Sequence, residues 1–169
     1  MKSIVQSSKF SQIGLLAFLF LTFISFSFAQ TTGTNLAAQA ALVTEFDVNG
    51  LKVLVKRRPN SQTVAAGLFF RGGSRNLTAQ NAGIESFALS VATEASQKFP
   101  REVLRRELAK TGSSISSGAN YDFSVMALAS TKQAFDRSWE IFTDVAINPA
   151  FSPNDVELTR EKILTGLRS

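Results

Sequence analysis

The spacing of apolar residues along this chain switches from alternation to helical spacing, returns to alternation, and switches again. Alternation is the period of a half-buried strand, and recurrence every three or four residues is that of a helix, so the order of elements is legible first. Val43 to Val48 sets Val43, Glu45 and Asp47 against Thr44, Phe46 and Val48, and Asn49-Gly50 follows. Asn-Gly accepts the positive φ of a two-residue hairpin turn, so Leu51 to Val55 is expected to return as the partner strand. Pro59-Asn60-Ser61 marks the next turn, and Thr63 to Phe70 reads as a buried third strand. Three consecutive strands would then open the domain as a meander.

Gly72-Gly73-Ser74 breaks the pattern. From Asn81 to Gln97, the positions Ile84, Phe87, Ala88, Val91, Ala92 and Ala95 recur at helical spacing. Pro100 opens a second helix, whose apolar stripe is Val103, Leu104 and Leu108, and Thr111-Gly112 closes it. Ser113 to Ala119 and Asp122 to Ala129 read as a second hairpin about Asn120-Tyr121. A third helix is expected from Lys132 to Ile147, with Phe135, Trp139 and Phe142 on one face and Asn148-Pro149 as its stop. Ser152 is placed as the N-cap of a fourth helix, with Pro153 at its first position. Strands, two helices, strands and two helices predict an α+β domain, an antiparallel sheet covered by helices. That last helix is still running at Ser169, so the domain is expected to be truncated at its C-terminal end, as a fragment or a shortened gene product.

Composition removes much chemistry. The 169 residues include no cysteine and no histidine. Disulfides, thiolate metal sites, Ser-His-Asp and Cys-His nucleophile systems and imidazole ligands are therefore excluded. The formal charge of +5 rests on 18 basic and 13 acidic residues, and setting aside Lys2 and Lys9 leaves 16 basic against 13 acidic. That balance forms no basic stripe for phosphates, so no nucleic-acid partner is expected. Lys56-Arg57-Arg58, beside Pro59, reads as a solvated loop.

Residues 1–29 have the parts of a secretory signal: Lys2 and Lys9, then the apolar stretch Ile13 to Phe28, then Ser27-Phe28-Ala29 before Gln30. The apolar stretch is shorter than the roughly 20 residues of a membrane span, which favours a cleaved signal over an uncleaved anchor. The chain is thus expected to be exported, periplasmic or secreted, in a bacterial cell envelope, with no membrane attachment after cleavage. Residues 30–42 read as a flexible connecting segment and 43–169 as the domain.

Several short motifs within Val43 to Leu167 recur in one order: Asn49-Gly50-Leu51-Lys52-Val53, Gly73-Ser74-Arg75, Asn81-Ala82-Gly83-Ile84, Gly112-Ser113-Ser114-Ile115 and Asn148-Pro149-Ala150-Phe151. Together they resemble the N-terminal domain of the pitrilysin-type metallopeptidases. The resemblance implies a LuxS/metallopeptidase-like fold, here incomplete, and a zinc site built on H-x-x-E-H. Two imidazoles one turn apart grip the metal, the intervening Glu acts as base on zinc-bound water, and a later helix supplies a Glu ligand. On this chain the two His positions fall on Ser86 and Ser90, the base on Leu89 and the distal ligand on Gly166. None of the four can do its work, so zinc, expected for the family, is not expected here, and the chain is not expected to be an enzyme on its own.

Two substitutes were open. Glu85, Glu94, Glu157 and Glu161 could hold a hard cation such as calcium, although Glu at helical spacing usually makes a solvated face. Ser86 or Ser90 could serve as a nucleophile only beside a lysine, the nearest in sequence being Lys98. The resemblance further implies paired domains enclosing a chamber, in which one member often lacks the zinc motif. The expected role is therefore a non-catalytic partner of an active H-x-x-E-H subunit, holding extended peptides along the strand at Ile115, Ser116 and Ser117. The family often has Asn-Ala where this chain has Ser116-Ser117. A structural or assembly subunit without peptide handling, or a fragment of a longer family member, are the alternatives.

Overall fold

The computed structural model describes residues 32–168. The expected leader, residues 1–29, lies outside the described residues. The described chain falls into two compact units, divided between Arg58 and Pro59, where a single domain from 43 onward was expected.

The first unit holds helix α1 (Thr32–Ala40) and strands β1 (Val43–Val48) and β2 (Leu51–Lys56). Helix α1 stands where a flexible segment was expected; Leu36, Ala37, Ala38 and Ala40 are strong helix formers and outweigh the polar Thr and Asn around them. Asn49 and Gly50 take φ of 53° and 86°, the two positive values of the expected hairpin turn. The Gly50 N–H donates to Asp47 Oδ1 at 2.8 Å. Register pairs Phe46 with Val53 and Val48 with Leu51, while Asp47 faces Lys52 on the other side. One face of the hairpin is therefore apolar and the other charged, with Glu45 and Lys52 in an ion pair.

The second unit is an antiparallel sheet of β3 (Thr63–Arg71), β4 (Ser114–Ala119) and β5 (Phe123–Thr131), in the order β3-β5-β4. The expected meander fails at its third strand: β3 pairs along its whole length with β5, from Thr63 opposite Thr131 to Arg71 opposite Phe123. The reason is burial. In β5, Ser124, Met126, Leu128 and Ser130 are all buried on one face, so it takes the central place that needs a partner on each side. Helices α2 (Ile84–Ala92), α3 (Arg101–Thr111), α4 (Phe135–Ile147) and α5 (Pro153–Arg168) complete the unit. Helix α2 lies against β4, and α4 against β5. The core joins Ala92, Phe99, Leu104, Met126, Leu128, Ile141, Phe142 and Val145. A chain of hydroxyls crosses its end: Ser130 Oγ donates to Ser138 Oγ at 2.9 Å, and Ser138 to Ser113 at 3.2 Å.

Two helices are shorter than their apolar spacing predicts. Helix α2 begins after Gly83 (φ 85°) and stops at Ala92 rather than Gln97. Beyond it the backbone pairs with a later loop: Gln97 N–H donates to Asn148 O at 2.9 Å, and Ala150 N–H to Ala95 O at 3.0 Å. Ala95 is thus buried by an extended contact, which mimics a helical stripe in sequence. Helix α4 begins at Phe135 rather than Lys132, because the Lys132 N–H extends the sheet by donating to Gln62 O at 2.8 Å. The other ends follow expectation. Gly112 closes α3 in the left-handed region (φ 59°), and the Asp155 N–H donates to the Ser152 side chain at 3.2 Å.

The turn after β3 is held from two sides. Glu85 accepts from the Gly73 N–H at 2.9 Å, and the Ser74 N–H donates to Asn120 O at 2.8 Å. Gly73 has φ +81° and ψ 178°, a region essentially confined to glycine. A Cβ there would lie 2.6 Å from the carbonyl oxygens of both Asn120 and Tyr121. Gly73→Ala is expected to lower stability by about 2 kcal/mol or more. Gly118→Ala, where a Cβ meets nothing within 4 Å, is the control and is expected to stay within about 0.5 kcal/mol. Urea unfolding of both variants checks this.

Candidate functional site

Helix α2 carries three of the four positions at which the pitrilysin-type site was expected. Ser86 is exposed and Ser90 half-buried, one turn apart on the same side. The Ser90 hydroxyl donates to Ser86 O at 2.8 Å, a bond back into its own helix. Leu89 packs against the hydrophobic core. The fourth position, Gly166, lies near the end of α5, the helix beside α2. Asp155, Thr159, Lys162 and Gly166 follow one another at three- and four-residue steps, so they share one side of α5. Buried Asp155 and Thr159, together with the reach of Lys162 to Glu94, turn that side toward α2 and α3.

The two helices that carry the expected positions lie side by side, and those positions hold the small residues Ser86, Ser90 and Gly166. A serine hydroxyl and a glycine offer a zinc ion neither charge nor imidazole, so the residues present do not fit zinc. The carboxylates weighed as substitutes are engaged separately. Glu85 caps the Gly73 turn, Glu94 meets basic side chains, and Glu157 pairs with Arg160 at 3.2 Å. Among the described residues no group of three or more acidic side chains is placed to hold a metal ion. Lys98, the lysine considered for activating Ser90, instead pairs with Glu140 on α4.

Strand β4 is an edge of the three-stranded sheet, bonded to β5 on one side. Ile115 and Ser117 turn half-buried toward the core, and Ser116 is exposed. The strand contains no charge and no proline, the usual means of blocking an edge. Helix α2 lies against it, so Ser86 and Ser90 ride on the helix that flanks this edge.

One constellation was invisible in the sequence. Asp155 Oδ1 accepts from Arg101 Nε at 2.6 Å, and Arg101 Nη1 reaches Glu94 Oε2 at 3.3 Å. Glu94 also meets Arg105 Nη2 at 3.2 Å and Lys162 Nζ at 2.6 Å. Burial pushes the Glu94 carboxyl up, but bonds from Lys162 and Arg105 and the charges of Arg101 and Lys162 outweigh it and leave it below its usual value. Burial acts likewise on Asp155 and is outweighed by bonds from Ser152 and Arg101 and by the charges of Arg101 and Arg105. The acid in the first turn of α5 was legible as a capping feature, but nothing local announces an arginine 54 residues earlier as its partner.

Among the described residues no helix is long and apolar enough to cross a membrane. Comparison with known proteins agrees with the architecture. The fold resembles a peptidase M16 inactive domain from Pseudomonas fluorescens, with a TM-score of 0.63 at 20% identity over 73% of this chain and 31% of that one. It also resembles a protease from Helicobacter pylori, with a TM-score of 0.65 at 16% identity over 75% of this chain and 32% of that one. In sequence it is 22% identical over 116 residues to the beta subunit of the yeast (Saccharomyces cerevisiae) mitochondrial-processing peptidase, covering 69% of this chain. The chain spans about a quarter of that relative's length (25%). The sequence model of insulinase, peptidase family M16, matches residues 52–168, and the chain belongs to that family.

Proposed function

We propose that this chain is an exported, non-catalytic family member that pairs with an active H-x-x-E-H subunit and helps enclose a chamber holding extended peptides. The observation that carries the reading is the state of the four site positions. Ser86, Ser90 and Gly166 offer zinc no suitable ligand, and Leu89 cannot move a proton, yet α2 and α5 lie together beside a sheet edge that carries no charge and no proline. A scaffold that keeps its arrangement without its chemistry suits a protein used for its shape. The solved inactive M16 domain and the processing-peptidase subunit among its relatives support the same reading. A peptide would add as a strand along Ile115, Ser116 and Ser117, with backbone bonds supplying affinity.

Co-purification of the full chain with an H-x-x-E-H protein of the same organism is the direct test. Recovery as a lone protein under gentle conditions would count against pairing. For peptide holding, Ser116→Lys places a charge on an exposed edge position and is expected to weaken binding of an extended peptide about tenfold without lowering thermal stability. Unchanged affinity would leave the structural-subunit alternative.

The site assignment has its own check. Ser86→His, Ser90→His and Gly166→Glu together are expected to confer binding of about one zinc ion per chain, read by metal analysis after dialysis. If the triple variant folds and takes up no more zinc than the parent chain, the assigned positions are wrong.

A further inference from the structure

Helix α5 is docked differently from the other helices of its unit. Helix α4 buries Ile141, Phe142 and Val145, α2 buries Val91 and Ala92, and α3 buries Leu104. In α5 the buried residues are polar: Asp155 at 5% exposure and Thr159 at 3%. Three of its large apolar residues are turned out, Leu158 at 40%, Ile163 at 36% and Leu167 at 79% exposure, while Val156 and Leu164 are half-buried. No residue of α5 belongs to the hydrophobic core or packs against it as a partly buried apolar neighbour. A chain of charges from Asp155 through Arg101 to Glu94, and from Glu94 to Lys162, joins α5 to its neighbours.

We propose that α5 is an electrostatic latch, which opens away from α2 and α3 as a unit while the sheet and α4 stay folded. Three cations, Arg101, Arg105 and Lys162, share two anions, Glu94 and Asp155. Loss of either anion leaves three cations around one carboxylate, so the attraction across the joint falls steeply. Opening moves the side of α5 that carries Gly166 away from α2. The latch rests on these contacts alone and holds whether or not the neighbouring edge binds peptides.

The charges titrate in one direction. Both carboxyls lie below their ordinary values of 4.5 for Glu94 and 3.8 for Asp155. The attraction is therefore complete above those ordinary values and is lost as pH falls through the lower folded ones. Salt reaches the exposed cations of the joint at neutral pH, Lys162 at 50% and Arg105 at 54% side-chain exposure, because the screening length falls from about 10 Å at 0.1 M to about 3 Å at 1 M.

Hydrogen exchange of the full chain at neutral pH, in about 0.1 M and about 1 M sodium chloride, reads the latch directly. Amides of α5 are expected to exchange about tenfold faster at high salt, with those of β5 and α4 unchanged. Lys162→Met removes one partly exposed contact without touching the core and is expected to speed α5 exchange at low salt. It should also reduce the further effect of salt. Glu157→Gln, on a solvated position of the same helix, is expected to do neither. Exchange of α5 and β5 in step, or α5 exchange indifferent to both salt and Lys162→Met, overturns the latch.

Discussion

The central position of β5 is the constraint on which the second unit depends. The strand pairs with β3 on one side and β4 on the other, and its inward residues Met126 and Leu128 are almost wholly buried. Helix α4 follows it directly and lays Ile141, Phe142 and Val145 into the same core. Two buried methionine and leucine side chains contribute on the order of 3–6 kcal/mol by removal from water. Every other element of the unit is placed with respect to this layer. Helix α2 reaches it from the side of β4, and its inward residues Val91 and Ala92 are on the opposite flank from Ser86.

In that arrangement Ser86 is exposed and Ser90 half-buried, while Ala92 of the same helix joins the core. Leu89 joins the partly buried apolar residues against it, which gives the helix apolar contact where a proton-transfer group would otherwise sit. The Glu85 carboxylate, one residue from the first emptied position, fastens the start of α2 to Gly73.

The parts of this fold that were legible in the sequence are those set locally. Asn49-Gly50, Pro100, Gly112 and Ser152-Pro153 each fix a backbone conformation within a few residues, and each lies where it was read. Partners distant in sequence were not legible. Thr63 to Phe70 was recognisable as a strand, but its apolar pattern does not say that β5 rather than β2 lies beside it. Ala95 continues the helical stripe of α2 on paper, and only the distant 148–150 loop reveals why it is buried in extended backbone. For the site, the resemblance assigns positions on α2 and α5, and the structure sets those two helices side by side. The ion network was not legible, since Arg101 and Lys162 look like ordinary solvated cations until Glu94 and Asp155 are placed between them.

The network and the empty site bear on one another through the joint between α2 and α5. In the arrangement that the family motif implies, a metal ion would take ligands from both helices and so cross-link them. Here the ligand positions hold Ser86, Ser90 and Gly166, and a cross-link is made one turn beyond Ser90, where Glu94 meets Lys162 of α5. Metal coordination is directional and largely indifferent to salt, whereas an ion pair with a cation half exposed to water is screened by salt and sensitive to protonation. Replacing the first by the second keeps the helices adjacent at neutral pH but makes their contact conditional. Because α5 places no residue in the hydrophobic core cluster, its docking depends more on those charges than the docking of α4 does. The proposed latch thus lies at the joint where the family motif would set a metal bridge.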